Sequence, residues 1–198
     1  MSTKSKVSRA IIDRDSLPPM FPTHRNTPQF WEQLGRTIAT YGFLEEVLGK
    51  AIFAFTATRR YSPEEIDVAY QAWLPQLERA LTDQLWNLAE SYNKATKDNS
   101  ETTTENVAEL VEDIKKATVL RNVLCHGSWR VPDANGASVP MFVNRQKEVF
   151  TSPINVAYLQ QVQTHVAELA CSVIDTVTHM GWQFPGGAGP GKPIMNRN

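Results

Sequence analysis

Between Phe30 and Phe55 apolar side chains return at steps of three and four: Phe30, Leu34, Ile38, Tyr41, Leu48, Ile52 and Phe55. That period over that length admits an amphipathic helix and excludes a strand, whose faces alternate at every residue. Thr27 followed by Pro28 supplies an N-cap and a proline in the first turn, where a missing N–H costs nothing. A helix is therefore expected from Pro28 to about Ala57.

Later segments repeat the pattern. Ser62-Pro63-Glu64-Glu65 is a start signal, with Glu65 placed to complete a capping box, and a shorter helix is expected to about Trp73. Pro75 is expected to begin, or bend into, a third helix with Leu77, Leu81, Leu85, Leu88 and Tyr92 on one face. The polar stretch 94–104 reads as a loop. A fourth helix then runs from about Thr104, with Val107, Leu110, Ile114, Ala117 and Leu124 in register.

After Gly127 the period changes. Trp129-Arg130-Val131, the turn-rich Pro132-Asp133-Ala134-Asn135-Gly136 and residues 139–143 predict a small hairpin, with 147–151 as a third short strand. Ser152-Pro153 starts a last helix carrying Val162, Val166, Leu169, Val173, Val177 and Met180, and Gly181 ends it. The expected fold is mostly all-α: an antiparallel bundle of about five helices, with a small β-hairpin inserted at about 128–151, before the last helix. One domain covers 28–182. Residues 1–26, with Pro18, Pro19 and Pro22, read as an extended arm, draped over the domain through Leu17, Met20 and Phe21 or reaching a second subunit. Residues 183–198, rich in glycine and proline, read as a flexible tail.

With 198 residues and 41% hydrophobic content, the chain can form one well-cored domain. A net charge of -1 excludes a strongly basic protein that coats nucleic acid, but leaves room for a local basic site. Cys125 and Cys171 form neither a disulfide framework nor a zinc spacing, so two reduced, buried thiols are expected, with no metal and no cofactor. No apolar core of signal-peptide length follows the basic start, and no apolar run is long enough to span a bilayer. The simplest compartment is the cytoplasm.

The helical register singles out two charged residues. Stepping by three and four from Ile114 gives Ala117, Arg121 and Leu124, which puts Arg121 on the core-facing side, where an unpaired guanidinium is costly. In the first helix Glu45 interrupts the apolar stripe, while Glu46 faces outward with Lys50 four residues on, an ordinary surface pair. Glu45 and Arg121 are therefore expected to meet between the first and fourth helices. Asn122 lies one step round from Arg121, able to donate or accept at the rim. His126 ends the helix, where the carbonyl end of the dipole favours an imidazolium.

Arg121-Asn122 and, after four intervening positions, His126-Gly127, closing a long helix of a helical domain, resemble the HEPN superfamily. Its hallmark is an arginine and a histidine four to six residues apart, with asparagine common straight after the arginine. An acidic residue in the first helix also recurs there, and Glu45 is the match. The resemblance covers about 28–127 and the last helix; the hairpin has no counterpart of known function.

The resemblance implies a homodimer that brings two motifs into one cleft, and for many members a metal-independent ribonuclease. Its chemistry needs one group to take the 2'-hydroxyl proton, another to protonate the leaving 5'-oxygen, and positive charge on the phosphorane. In that reading His126 is the acid/base, Arg121 stabilises the phosphate's charge, Asn122 positions and Glu45 orients Arg121. Trp129, Arg130, Arg59 and Arg60 are the candidates for RNA contact. The family also implies toxin or phage-defence roles and an inhibitory or regulatory protein partner. The alternative is a catalytically inactive HEPN-like module that binds nucleotide or protein.

Ordinary structural roles compete with each of these. The Glu45–Arg121 pair can simply fix helix register, and a histidine before a helix-ending glycine can cap carbonyls. Arg59 and Arg60 also suit the dipole at the end of the first helix. Cys125 and His126 are adjacent, so they do not face each other as a nucleophile pair. His165 and His179 are too far apart for a helical metal pair, and His24 has no visible partner. Tryptophans in helical domains serve more often in cores than as stacking platforms.

Overall fold

The structure, a computed structural model, describes residues 11–59 and 62–189. Arg60 lies outside them, as do 1–10 of the expected arm and 190–198 of the expected tail. Among the described residues the fold is all-α: α1 (Pro28–Ala57), α2 (Ile66–Thr82), α3 (Leu85–Asp98), α4 (Val107–His126) and α5 (Val156–His179) pack as a bundle.

Thr27 caps α1 by accepting from the Phe30 N–H at 3.2 Å, and Pro28 opens the helix. Phe30, Leu34, Tyr41, Leu44, Leu48, Ile52 and Phe55 are all buried, and α1 touches each of the other four helices. Side-chain pairs give the directions. Trp73 Nε1 donates to Thr56 Oγ1 at 2.8 Å while Ala80 backs onto Gly49, so α2 runs antiparallel to α1. Thr104 Oγ1 donates to the Thr176 carbonyl at 3.1 Å, placing the start of α4 beside the end of α5. Thr37 Oγ1 donates to the Leu159 carbonyl at 3.2 Å, and Phe55 meets Trp182 just past α5 at 5.6 Å. These two pairs make α1 and α5 parallel neighbours within an otherwise up-and-down bundle.

Several boundaries differ from the sequence reading, each for a local reason. Pro75 sits inside α2, and the break comes at 83–84 instead. Gln71 and Pro75 are both exposed, so water can meet the carbonyl that the proline leaves without a donor. The polar stretch after Lys94 stays helical to Asp98 because Ala95 and Thr96 are buried. Its polarity serves the interior: Asn99 Nδ2 donates to the Phe55 carbonyl at 2.8 Å and to Thr58 Oγ1 at 3.1 Å. Ser62 and Glu65 bond to each other before α2 begins, and Asn155, rather than Ser152, caps α5.

The expected hairpin is not made of strands. Among the described residues 127–155 forms a connector with three isolated antiparallel bridges, Ser128 with Met141, Ser138 with Ile154 and Val143 with Val149. Pro132, Pro140 and Pro153 have no N–H to give a ladder, and they interrupt each run. In the arm, Leu17, Met20 and Phe21 are exposed rather than draped on the core. The attachment comes instead from Trp31 Nε1 donating to the Thr23 carbonyl at 2.8 Å and from Asn26, whose amide reaches the Arg130 carbonyl at 3.4 Å. The tail is packed further than expected: Phe184 is 8% exposed in the core, and a turn closes from Gly187 N–H to its carbonyl at 2.8 Å. Neither cysteine is buried as expected: Cys171 is exposed and Cys125 half-buried. No helix among the described residues is long and apolar enough to cross a membrane.

The α1–α2 crossing depends on one glycine. A Cβ on Gly49 would stand 2.9 Å from the Ala80 carbonyl oxygen, whereas one on Gly42 would meet nothing within 4 Å. Gly49→Ala is expected to destabilise by about 1–3 kcal/mol through overpacking, and Gly42→Ala to stabilise by up to about 1 kcal/mol through helix propensity. Thermal unfolding of the two variants should move in opposite directions.

Candidate active site at the end of the fourth helix

The buried line of α4 is Val111, Ile114, Thr118, Val123 and Leu124, and Arg121 stands at its edge rather than in it. Its guanidinium reaches across to α1, where Nη2 lies 3.4 Å from Glu45 Oε1, both side chains being 26% exposed. Glu45 Oε1 is sealed from water yet has no aligned hydrogen bond, so the pair is a charge contact and not a bidentate fork. The carboxylate still has capacity to accept.

Tyr41, which the sequence reading did not connect with Arg121, feels its charge. The Tyr41 hydroxyl donates to the Ala117 carbonyl at 3.0 Å. Burial holds its pKa far above the ordinary phenol value; Tyr158 and Cys125 push the same way, and the Arg121 charge opposes them. Tyr41 is buried, whereas Tyr158, Cys125 and Arg121 are each half-buried. Tyr41 was legible only as a member of an apolar stripe, and nothing in the spacing marked Tyr158.

His126 is the last residue of α4 and is exposed, its imidazole having no hydrogen bond among the described residues. Five helical positions separate it from Arg121, which is about 140° of rotation and about 7.5 Å of rise. One protomer therefore does not present imidazole and guanidinium on one face. Asn122 is half-buried, and its side-chain amide also has no hydrogen bond among the described residues.

The chain beyond His126 is pinned tightly. Gly127 N–H donates to the Val123 carbonyl at 2.8 Å, and a Cβ on Gly127 would lie 2.7 Å from Pro140 Cβ. Ser128 and Met141 exchange both backbone hydrogen bonds, at 3.0 and 2.7 Å. The imidazole is thus carried on a backbone fixed from both sides.

The three described candidates for RNA contact, Trp129, Arg130 and Arg59, are not brought together; Arg60 lies outside the described residues. Trp129 packs edge-on against Phe30 at 4.9 Å between ring centroids and is partly buried. Arg130 is exposed beside it, with Nη2 3.2 Å from Met141 Sδ. Arg59 lies at the opposite end of α1, roughly 40 Å away by helical rise, paired with Asp98 at 3.3 Å. Comparison with known protein families, curated proteins and solved structures finds no match.

Two measurements probe this geometry. A double-mutant cycle with Glu45→Gln and Arg121→Gln should give a coupling of about 0.5–1 kcal/mol, the size for a partly exposed pair; about 3 kcal/mol would indicate a sealed one. The raised Tyr41 pKa carries its own sign. The unfolded chain loses the phenol proton near pH 10 while the folded chain keeps it, so this stability is complete below pH 10 and is lost as pH rises above that. Burial pushes Tyr92 up to about 12, against the opposing effect of its hydrogen bond with Thr176, and so adds to the same loss. Tyr41→Phe should flatten the fall in melting temperature between pH 10 and 12 without abolishing it.

Proposed function

We propose that the chain is a metal-independent endoribonuclease of HEPN type, acting as a homodimer. The observation that carries this reading is the contrast on α4: Arg121 is held by Glu45, while His126 stands exposed and unclaimed at the helix end. The reaction forms a bond from the 2'-oxygen to phosphorus and breaks the bond from phosphorus to the 5'-oxygen. One imidazole takes the 2'-hydroxyl proton and a second, protonated imidazole gives its proton to the departing 5'-oxygen. The products are a 2',3'-cyclic phosphate and a 5'-hydroxyl end.

One chain supplies a single His126, and its Arg121 faces about 140° away. Two chains supply both proton-transfer groups and two guanidiniums for the charge that grows on the phosphorane. Asn122 positions the phosphate, Glu45 orients Arg121, and exposed Arg130, with the open part of Trp129, contacts flanking RNA. A cytoplasmic toxin or phage-defence role, checked by an inhibitory protein, belongs to the same proposal. A binding module is the competing reading, favoured by one fact: no described group of the protomer orients the His126 ring.

Purified protein incubated with mixed RNA in EDTA should cleave it and leave cyclic phosphate ends. His126→Ala should lower the rate by about 100-fold or more while keeping the fold and dimer, since general acid–base groups contribute at that scale. Cleavage that survives His126→Ala would sink the mechanism. RNA binding without cleavage, by a folded dimer, would establish the binding module instead.

A further inference from the structure

Glu45 faces two ways. On one side it meets Arg121; on the other it lines a groove of about 490 Å³ between α1, the α2–α3 turn and the tail. The walls are largely apolar, with Phe53, Leu77, Leu81 and Leu88, and two of them are left open to solvent: Leu81 is 77% exposed and Phe53 38%. The volume falls in the range of small-molecule sites, about 300–1,000 Å³.

The charges in the groove are unbalanced. Glu46 is neutralised within it by Lys50 at 2.6 Å. Among the described residues, that leaves Asp83 without an ionic partner and Glu45 with only the Arg121 contact from outside the groove. Asp83 is half-buried at the α2–α3 turn, and its carboxylate has no hydrogen bond among the described residues. Glu45 has only the unaligned contact with Arg121. An anion entering here is repelled. A neutral apolar molecule would strip water from two carboxylates and return no charge-assisted bond. An apolar body carrying one ammonium covers the hydrophobic walls and supplies N–H donors to the carboxylates.

We propose that this groove is a second ligand site, taking a small amphiphilic organic cation whose ammonium pairs with Asp83 and Glu45. Because Glu45 is shared, the ligand and Arg121 compete for one carboxylate, and the groove is coupled to the α4 site through that side chain. The coupling is reciprocal by linkage: whatever weakens the hold of Arg121 on Glu45 strengthens the cation's.

The test titrates 4-phenylbutylammonium into the full chain, with 4-phenylbutanol and 4-phenylbutanoate as matched probes, followed by calorimetry and amide chemical shifts. The ammonium should bind saturably, with shifts centred on the groove-lining parts of α1 and on the α2–α3 turn. The alcohol should bind about tenfold more weakly, and the carboxylate not at all. Asp83→Asn, a near-isosteric change at a turn, should weaken the ammonium about tenfold, and Arg121→Gln should tighten it about threefold. Equal binding of alcohol and ammonium, or indifference to Asp83→Asn, would overturn the site. Unchanged affinity in a folded Arg121→Gln would overturn the coupling. No RNA is involved, so the ribonuclease reading and this one fail independently.

Discussion

Because α1 is packed by every other helix of the bundle, each polar group along it must find a partner across an interface or stay wet. The partners come from different elements. Thr37 bonds to the backbone of α5, Tyr41 to the backbone of α4, and Thr56 to Trp73 of α2. The Phe55 carbonyl is taken by Asn99, just past α3. These bonds contribute modest net stability, about 1 kcal/mol each, but the cost of leaving any one unmade is larger. They therefore act on register: a helix that slides along α1 strands a buried donor or acceptor.

Glu45 and Arg121 belong to this set but are its least satisfied members. Their contact at 3.4 Å lacks hydrogen-bond alignment, and each side chain keeps about a quarter of its exposure. A carboxylate with unused capacity beside a guanidinium at the edge of a core is energetically cheap to perturb, unlike the Thr37 or Tyr41 bonds. Such a pair can serve chemistry at one face and respond to a ligand at the other. The same reasoning separates Arg121 from His126: the first is woven into the packing of α1 and α4, and the second touches nothing that the fold needs.

The limits of the sequence reading show where periodicity loses its force. α1 was legible almost to the residue because its stripe is long and its cap strong. Pro75 misled, since at an exposed position water can meet the carbonyl that the proline leaves without a donor, and α2 runs on through it. The polar run after Lys94 looked like a loop because Thr96 and Asn99 are hydrogen-bonding groups turned inward, and polarity alone does not reveal direction. Alternation around Val139 and Val149 predicted strands, but the prolines restrict pairing to isolated bridges. Phe184, a lone aromatic in a glycine- and proline-rich tail, is an anchor with no period to announce it.

What the chain's own order of residues determined was local: the first and last helices with most of their buried faces, and the separation of Arg121 and His126 on α4. Those follow from a repeat of 3.6 and from caps that act within a few residues. The division between α2 and α3 and the buried line of α4 were not determined in this way. Tertiary structure decided which distant groups share a space. It brought α5 alongside α1 in parallel, set Arg121 of α4 against Glu45 of α1, and opened a groove on the far side of Glu45. The physical reason is that a register says which way a side chain points, whereas its neighbours depend on helices packed from elsewhere in the chain.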